Sequence, residues 1–405
     1  MDTQIIAPPK RAQIGVGGFR ITARAKQLVM EVLDSNRITA GPKMARFENE
    51  IAALHGCEYG VMCNSGTSAL QIALAALKET YSWQDDDEVL VPAVTFVATS
   101  NVVLYNNLKP VFVDVEPRHY CINPTKIEER ITSRTRAIMP VHLAGQPCDM
   151  EPILRIAEHY NLRIVEDSAE TMFVSDKGRP VGSFGDVGCF STYAAHMITT
   201  GVGGLCTTND SELIVMLKSL MNHGRDSIYI RIDDDKNARG EDLFQIANSR
   251  FSFVLLGHSF RATEMEAALG LAQLEEREEL CARRQQVVAR LHKGLGDLEG
   301  QLQLPRPRPG SDHSYMFYPL TIMNAHVNRD DLVRYLEDHA IETRYLLPLI
   351  NQPIYRQLFG NLDEQFPVAA RLNRDSFYIG CHPDINDEDV DYVIERFHHF
   401  FQSYK

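Results

Sequence analysis

Apolar and polar positions follow two periods along the first half of the chain, and their alternation predicts the fold. Between about residues 45 and 210, stretches with apolar residues three and four positions apart are separated by short apolar runs. The first pattern is typical of helices and the second of buried strands. The strand-like runs are YGVMCNS, DEVLVPAV, KPVFVDVE, TRAIMPVHL, LRIVEDSA and GLCTTND. Since strands that alternate with helices form βα units, we predict an α/β fold with a mostly parallel central sheet flanked by helices.

The pattern changes after about residue 211, where helical periodicity takes over. ATEMEAALGLAQLEEREELCARRQQVVARLHKGL has one apolar and one charged side, which predicts a single long helix. The Pro-rich LPRPRPGSDHS follows, and beyond it HSYMFYPLTI and IETRYLLP predict strands between helical stretches. We therefore predict a large domain over residues 1–292, including an N-terminal segment and interface helices, and a small C-terminal α+β domain over residues 293–405.

Composition narrows the possible partners and the cell compartment. The 405 residues carry a net charge of −13, which disfavours nucleic acid because binding to phosphate backbones needs clustered Lys and Arg. No apolar run approaches the roughly 20 residues of a membrane helix, and the first residues lack a secretory pattern. The eight cysteines are scattered without a CxxC pair. We expect a cytoplasmic protein that has no metal centre and binds neither nucleic acid nor membranes.

The first candidate binding segment, CNSGTSAL, lies where a predicted strand turns into a helix. Gly66 lets the backbone approach an anion closely, and Thr67 and Ser68 place N–H groups and hydroxyls at the positive end of the helix. This arrangement suits a phosphate. Simple N-capping of the helix by Ser65 or Thr67 accounts for the same residues, so both interpretations stay open.

Two further segments carry chemistry-bearing side chains. Asp167 follows the apolar strand LRIV, and ligand sites of open α/β sheets gather at such strand ends. Its carboxylate could pair with a protonated pyridine nitrogen, or it could be a solvated loop residue or a helix cap. In CFSTYAAHMITTGVGG, Ser191 offers a hydroxyl for a phosphate and His196 a single imidazole, although a lone histidine is more often structural.

The three segments, in this order and spacing, resemble the DegT/DnrJ/EryC1/StrS family. Its members are sugar aminotransferases and dehydratases with the aspartate-aminotransferase fold, fold type I of the enzymes that use pyridoxal phosphate. The resemblance covers roughly residues 30 to 400. Other matching stretches are RITAGPKMARFENEIAALHG, VPAVTFVATSNVVLYNNLKPVFVDVEP, PVHLAGQPCDM, VGSFGDVGCFS and FRATEMEAALGLAQL.

The resemblance implies a cofactor, pyridoxal or pyridoxamine 5'-phosphate, and a role for each matching residue. Phe96 would stack on the cofactor ring, Asp167 would pair with its nitrogen, and Glu170 would lie near its hydroxyl in place of the usual Gln or His. The implied contacts around the phosphate and ring are completed by Gly66, Thr67, Ser68, Ala169 and Ser191.

The resemblance also implies a homodimer with a shared active site. In the family an Asn from the partner subunit completes the site, and here GHSFR has Ser259 at that position. We take His313, in SDHSYMFYPL, and Tyr345, in IETRYLLP, as candidate substrate contacts.

The main departure from the family pattern is His196, which stands where the aminotransferases have their Schiff-base lysine. A histidine cannot bind the cofactor covalently, so we expect non-covalent binding. An imidazole with a pKa near 6.5 does suit proton transfer. The same replacement characterises the nucleotide-sugar 3-dehydratases of the family.

The resemblance to that branch implies 3-dehydration of a nucleotide-linked 4-keto-6-deoxy sugar. His196 and Asp167 would be the catalytic residues, and glutamate the amino donor that regenerates the cofactor. Two alternatives stay open. One is a sugar aminotransferase whose lysine was replaced, and the other is a lysine-less binding protein without catalysis.

Overall fold

A seven-stranded sheet forms the centre of the protein, in a computed structural model that describes residues 12–226, 237–249 and 251–404. The strands of the N-terminal part are β1 (Tyr59–Cys63), β2 (Glu88–Pro92), β3 (Lys109–Val113), β4 (Thr135–Ile138), β5 (Arg163–Asp167), β6 (Ser175–Asp176), β7 (Arg179–Pro180), β8 (Val187–Ser191) and β9 (Gly204–Thr208). The central sheet has the order β1-β9-β8-β5-β4-β2-β3, and β6 and β7 form a separate hairpin.

The central sheet is parallel except at one strand. All neighbours from β8 to β3 pair in parallel, whereas β9 pairs antiparallel with both β8 and β1. The accompanying helices are α1 (Ala23–Asp34), α2 (Pro42–Leu54), α3 (Gly66–Thr80), α4 (Val97–Tyr105), α5 (Met150–Tyr160), α6 (Ser211–Met221), α7 (Gly240–Ser249), α8 (Glu264–Glu275) and α9 (Arg277–Leu295). The predicted α/β class, with a mostly parallel sheet flanked by helices, is confirmed.

The long helix predicted before the Pro-rich segment is two helices in the structure, α8 and α9, which meet at Glu276. A capping box of Thr263 and Glu266 starts α8, whose apolar side packs on the core of the central sheet. The C-terminal half of α9 instead packs in a second core, with α13. The apolar stripe is continuous in sequence, so periodicity alone could not reveal that its two halves pack in different cores.

A second, antiparallel sheet follows, which we call the C-terminal sheet. It has the order β10-β11-β13-β12 and consists of β10 (Leu302–Gln303), β11 (Tyr318–Ile322), β12 (Thr343–Tyr345) and β13 (Ser376–Ile379). Its helices are α10 (Arg329–Asp338), α11 (Pro353–Phe359), α12 (Pro367–Asp375) and α13 (Asp387–Gln402). Residues of α11 and α12 pack on the core of the central sheet, whereas the second core also takes residues of α9. The boundary between residues 292 and 293 stays a prediction.

The eight cysteines are free thiols, and all but Cys281 are buried. None of the helices in the described part of the chain has the length and apolar character needed to cross a membrane.

Glu264 joins two distant helices through a buried carboxylate. It lies at the start of α8 and accepts hydrogen bonds from the backbone N–H groups of Gly41 (2.6 Å), Met44 (2.9 Å) and Lys43 (3.0 Å). These donors form the first turn of α2, which has no side-chain cap of its own. A carboxylate at the positive end of a helix is favourable, so Glu264 fixes how α2 packs on α8.

Substitution Glu264→Gln should lower the free energy of unfolding by about 1–3 kcal/mol, because an amide group offers one acceptor oxygen and no charge to three donors. Chemical denaturation followed by circular dichroism measures this change. The exposed Glu279→Gln, which makes the same chemical change in α9, serves as the control. Equal unfolding midpoints for the two variants would contradict this role of Glu264.

Candidate active site

The carboxyl ends of β1, β8 and β5 lie at one edge of the central sheet, with the amino end of β9 between β1 and β8. Gly204, the first residue of β9, pairs with Cys63 at the end of β1 and with Ser191 at the end of β8. Asp167, at the end of β5, pairs with Cys189 of β8. This register brings the three segments that the sequence singled out to one place.

The turn into α3 leaves two backbone donors free beside Ser191. Ser65 is the N-cap residue, and its Oγ accepts a hydrogen bond from the N–H of Ser68 (3.0 Å). Among the described residues, the N–H groups of Gly66 and Thr67 have no acceptor. A Cβ atom on Gly66 would lie 2.7 Å from that of Ser191, so only glycine fits here. Capping by Ser65 therefore coexists with an open, positive helix end that can bind an anion.

Ser68 supports this turn from within. Its Oγ donates to Oδ1 of Asn64 (2.7 Å), and the residue is buried. Both its hydroxyl and its N–H are thus engaged inside the chain. Its direct contact with the cofactor remains a prediction.

Asp167 is a buried carboxylate held only by neutral donors. Thr99 donates to Oδ2 (2.7 Å), the N–H of Ala169 donates to Oδ1 (3.1 Å), and no cation pairs with it in the described part of the chain. Burial raises the pKa of Asp167. Phe96 precedes α4, the helix that carries Thr99, and is 58% exposed. A buried carboxylate without a cationic partner suits a protonated heteroaromatic ring, and Phe96 starts the helix whose Thr99 donates to this carboxylate.

His196 is held through the neighbouring backbone. Its Nδ1 lies 2.5 Å from the carbonyl oxygen of Ala169, so Nδ1 carries the proton and Nε2 carries the lone pair. Burial lowers the pKa of His196 to about 4, while the bond to the Ala169 carbonyl acts in the opposite direction. The imidazole is therefore a neutral base at neutral pH.

Glu170 completes a connected group of polar residues. It is buried, and its Oε2 accepts a hydrogen bond from the N–H of Ala144 (2.9 Å). Burial raises the pKa of Glu170 to about 8, and the nearby charge of Asp167 adds to the rise. Asp167, Ala169, Glu170 and His196 thus form one cluster at the end of β5.

Glu166, which the sequence analysis did not single out, positions this cluster. Its carboxylate is inaccessible to solvent and accepts hydrogen bonds from the N–H groups of Phe184 (2.6 Å), Gly182 (2.8 Å) and Gly185 (2.8 Å). Nε2 of His142 lies 3.0 Å from it as a further donor. The signal in the sequence is an acidic residue inside an apolar strand, which requires dedicated partners.

Ser259 lies on the segment that pairs with the end of β1. It is exposed, and its Oγ accepts a hydrogen bond from Arg261 (3.1 Å). The following residue, Phe260, accepts a hydrogen bond from the N–H of Asn64 (2.8 Å). No described contact links the Ser259 side chain to Gly66, Thr67 or Ser191 of its own chain, so its role in a shared site stays a prediction.

The two candidate substrate residues do not contact the cluster at the end of β5 in the described structure. The His313 ring stacks on Tyr315 with 3.7 Å between the ring centres, and its Nδ1 accepts the N–H of Tyr315 (3.0 Å). Burial lowers the pKa of His313 to about 3. Tyr345 is partly exposed, and the guanidinium of Arg329 lies 4.0 Å from its ring centre. These local contacts explain both residues, and their substrate roles remain predictions.

A sheet of this topology, with a carboxylate and an anion-binding helix end at its edge, defines a class of enzyme. The fold is that of the fold type I enzymes that depend on pyridoxal phosphate. The model described as the DegT/DnrJ/EryC1/StrS aminotransferase family matches residues 20–398. The chain belongs to this family, whose members are pyridoxal-phosphate-dependent sugar aminotransferases and dehydratases, and it is an enzyme.

Similar proteins of known name cover nearly the whole chain. GDP-perosamine synthase of Caulobacter vibrioides is 33% identical, with 94% of this chain and 96% of that protein aligned. The dTDP-4-dehydro-2,6-dideoxy-D-glucose 3-dehydratase of Saccharopolyspora spinosa is 34% identical, with 90% and 81% aligned. Among solved structures, the E. coli GDP-4-keto-6-deoxy-D-mannose-3-dehydratase with bound hydrated pyridoxal phosphate has a TM-score of 0.85 and 25% identity, over 95% of this chain and 100% of that one.

The lowered pKa of His196 predicts a pH dependence of folding. The unfolded chain binds this proton near pH 6.5, whereas the folded chain binds it only near pH 4. The stability that this residue contributes is present above pH 6.5 and is lost as the pH falls towards 4. Between pH 7 and 5, His196→Asn should therefore lose about 1–2 kcal/mol less unfolding free energy than the unchanged protein.

Denaturant titrations at several pH values measure this difference. The variant His326→Asn, at an exposed histidine, is the matched control and should follow the unchanged protein. Parallel stability curves for His196→Asn and the unchanged protein would contradict the burial of a neutral imidazole.

Proposed function

We propose that the protein catalyses the 3-dehydration of a nucleotide-linked 4-keto-6-deoxy sugar, in lipopolysaccharide O-antigen or deoxysugar biosynthesis. One observation carries the proposal. A neutral imidazole, His196, is oriented by the Ala169 carbonyl. The family resemblance implies that this histidine replaces the lysine of the aminotransferases. A base that cannot bind the cofactor covalently favours proton transfer over amino-group exchange.

The residues present fit pyridoxal or pyridoxamine phosphate bound without a covalent link. Gly66, Thr67 and Ser191 would bind the phosphate, Asp167 would pair with the ring nitrogen, and Phe96 would cover one face of the ring. When bound, the cofactor supplies an amine for the sugar ketone and an electron-withdrawing ring. Lys177, the lysine before this segment, pairs with Glu151 in an exposed ion pair. It therefore offers no replacement for the missing amine.

His196 would perform the proton transfers of the elimination. Its Nε2 lone pair is available because Nδ1 donates to Ala169, so it can accept a proton during the reaction. The resulting imidazolium can give a proton to the C3 hydroxyl, which leaves as water. The C4 ketone is restored by hydrolysis, which releases the amine nitrogen as ammonia. Glutamate supplies the amine and the two electrons for the next cycle, and leaves as the corresponding 2-oxo acid.

The relatives support this chemistry at the level of the family. Two of the similar proteins carry the name 3-dehydratase, one acting on a dTDP-linked sugar and one on a GDP-linked sugar. The identity of the nucleotide is thus not common to them. We propose further that two chains share each site and that Ser259 reaches the cofactor phosphate of the partner subunit, because its side chain is exposed and has no described contact with Gly66, Thr67 or Ser191 of its own chain.

Two other functions are alternatives to dehydration. An aminotransferase with a replaced lysine is favoured by the segment MITTG, which resembles the NITTG of the aminotransferase branch as much as the dehydratase pattern. A binding protein without catalysis is disfavoured by the buried Asp167, since loss of function would not preserve a costly buried carboxylate.

Incubation with pyridoxamine phosphate, glutamate and nucleotide-linked 4-keto-6-deoxyhexoses should yield a sugar that has lost one oxygen, detected by mass spectrometry. The His196→Asn variant should lose at least about a hundredfold in rate, because it lacks the proton-transfer group. Its cofactor affinity should be retained, since no phosphate contact changes.

The variant His196→Lys tests the aminotransferase alternative, which predicts that restoring the lysine creates strong amino-group transfer to the sugar. If the unchanged protein adds an amino group to the sugar, the dehydratase proposal is wrong and the aminotransferase is correct. If sugar changes the cofactor absorption spectrum without any product, the protein is a binder.

A further inference from the structure

A segment near the N-terminus, residues 14–20, runs between the C-terminal sheet and the loop that carries His196; we call it the N-terminal strap. It is attached to the sheet just before β12. The N–H of Ile14 donates to the Ala340 carbonyl (2.8 Å), and the N–H of Glu342 donates to the Ile14 carbonyl (2.9 Å). The Glu342 carboxylate also accepts the N–H of Val16 (2.8 Å). These bonds fix the first half of the strap to one edge of the C-terminal sheet.

The second half of the strap lies against the residues that follow β13. Arg20 pairs with Asp384 (3.2 Å). A Cβ atom on Gly18 would lie 2.4 Å from Nδ1 of His382, a buried histidine. A Cβ atom on Gly380 would lie 2.0 Å from the carbonyl oxygen of Gly15. The close approach of two backbones requires glycine at position 380, whereas Gly18 lies against the side chain of His382.

Between these two attachments the strap touches the active-site loop. A Cβ atom on Gly17 would lie 3.2 Å from both Cα and Cβ of Ala195, the residue before His196. Gly17 is exposed and Ala195 is half-buried, so the contact lies at the rim of the site. In the described structure, this contact joins the loop of His196 to a segment that is fixed to the C-terminal sheet.

We propose that the N-terminal strap holds the His196 loop in place, and that Gly17 is a positioning residue for the His196 imidazole. The inference rests on the proposed role of His196 as the base. With the strap against Ala195, the half-buried ring is kept on the Ala169 carbonyl and is partly shielded from water. A side chain on Gly17 would displace Ala195, lengthen the bond from Nδ1 to that carbonyl and admit water to the ring.

A graded pair of variants, Gly17→Ala and Gly17→Val, tests this role. Gly300→Val is the matched control, because a Cβ atom there meets nothing within 4 Å. The pKa of His196 is measured by NMR on protein with ¹³C-labelled histidine, and its signal is identified as the one missing from His196→Asn. Gly17→Val should raise this pKa from about 4 towards 6.5, with a smaller rise for Gly17→Ala.

Kinetics supply the second measurement. Because a small misplacement of a catalytic group is costly, kcat should fall by roughly tenfold to a hundredfold in Gly17→Val, while KM changes by less than about twofold. If Gly17→Val and Gly300→Val have the same His196 pKa and the same kcat, the proposal is overturned. Should the valine variant not fold, the NMR result for Gly17→Ala decides in the same way.

The two proposals fail in different ways. If the unchanged protein does not dehydrate the sugar but the His196 pKa still rises in Gly17→Val, the proposed function is wrong and the strap keeps its positioning role. If dehydration occurs and Gly17→Val has no effect on either measurement, the strap proposal alone is wrong.

Discussion

The hydrogen bonds of Glu166 are the constraint on which the active site depends. A carboxylate inaccessible to solvent would be strongly destabilising without partners, and here three backbone N–H groups and His142 surround it. Its donors lie in the turn that leads into β8, so the bond network fixes this turn against β5. The next residue, Asp167, points to the opposite face of the sheet because side chains alternate along a strand. Glu166, which holds the turn in place, and Asp167, which faces the candidate active site, thus occupy adjacent positions.

This constraint explains how the polar cluster is kept rigid. Asp167 binds the N–H of Ala169, and His196 binds the carbonyl of the same residue. The backbone of one small residue therefore connects the carboxylate proposed for the ring nitrogen to the proposed base. Burial acts on both groups by disfavouring their charged forms, so His196 is neutral and Asp167 gains by receiving a cationic partner.

Much of this arrangement could be predicted from the sequence, and the rest depends on long-range packing. Apolar runs located the strands β1, β2, β3, β4, β5 and β9, and strand-end residues such as Asp167 indicated the site. The break at Glu276 could not be predicted because each half of the apolar stripe packs in a different core. Gly17 and Ala195 are in contact, although most strands of the central sheet lie between them in the sequence. No local pattern of residues encodes such a contact.

The way in which His196 is oriented has an evolutionary consequence. The acceptor for Nδ1 is a main-chain carbonyl, which every residue type at position 169 would provide. The proposed exchange of lysine for histidine at position 196 therefore requires no second, compensating substitution to orient the new ring. Under the proposed function, a change of reaction type on this scaffold would leave the backbone around Ala169 as it is.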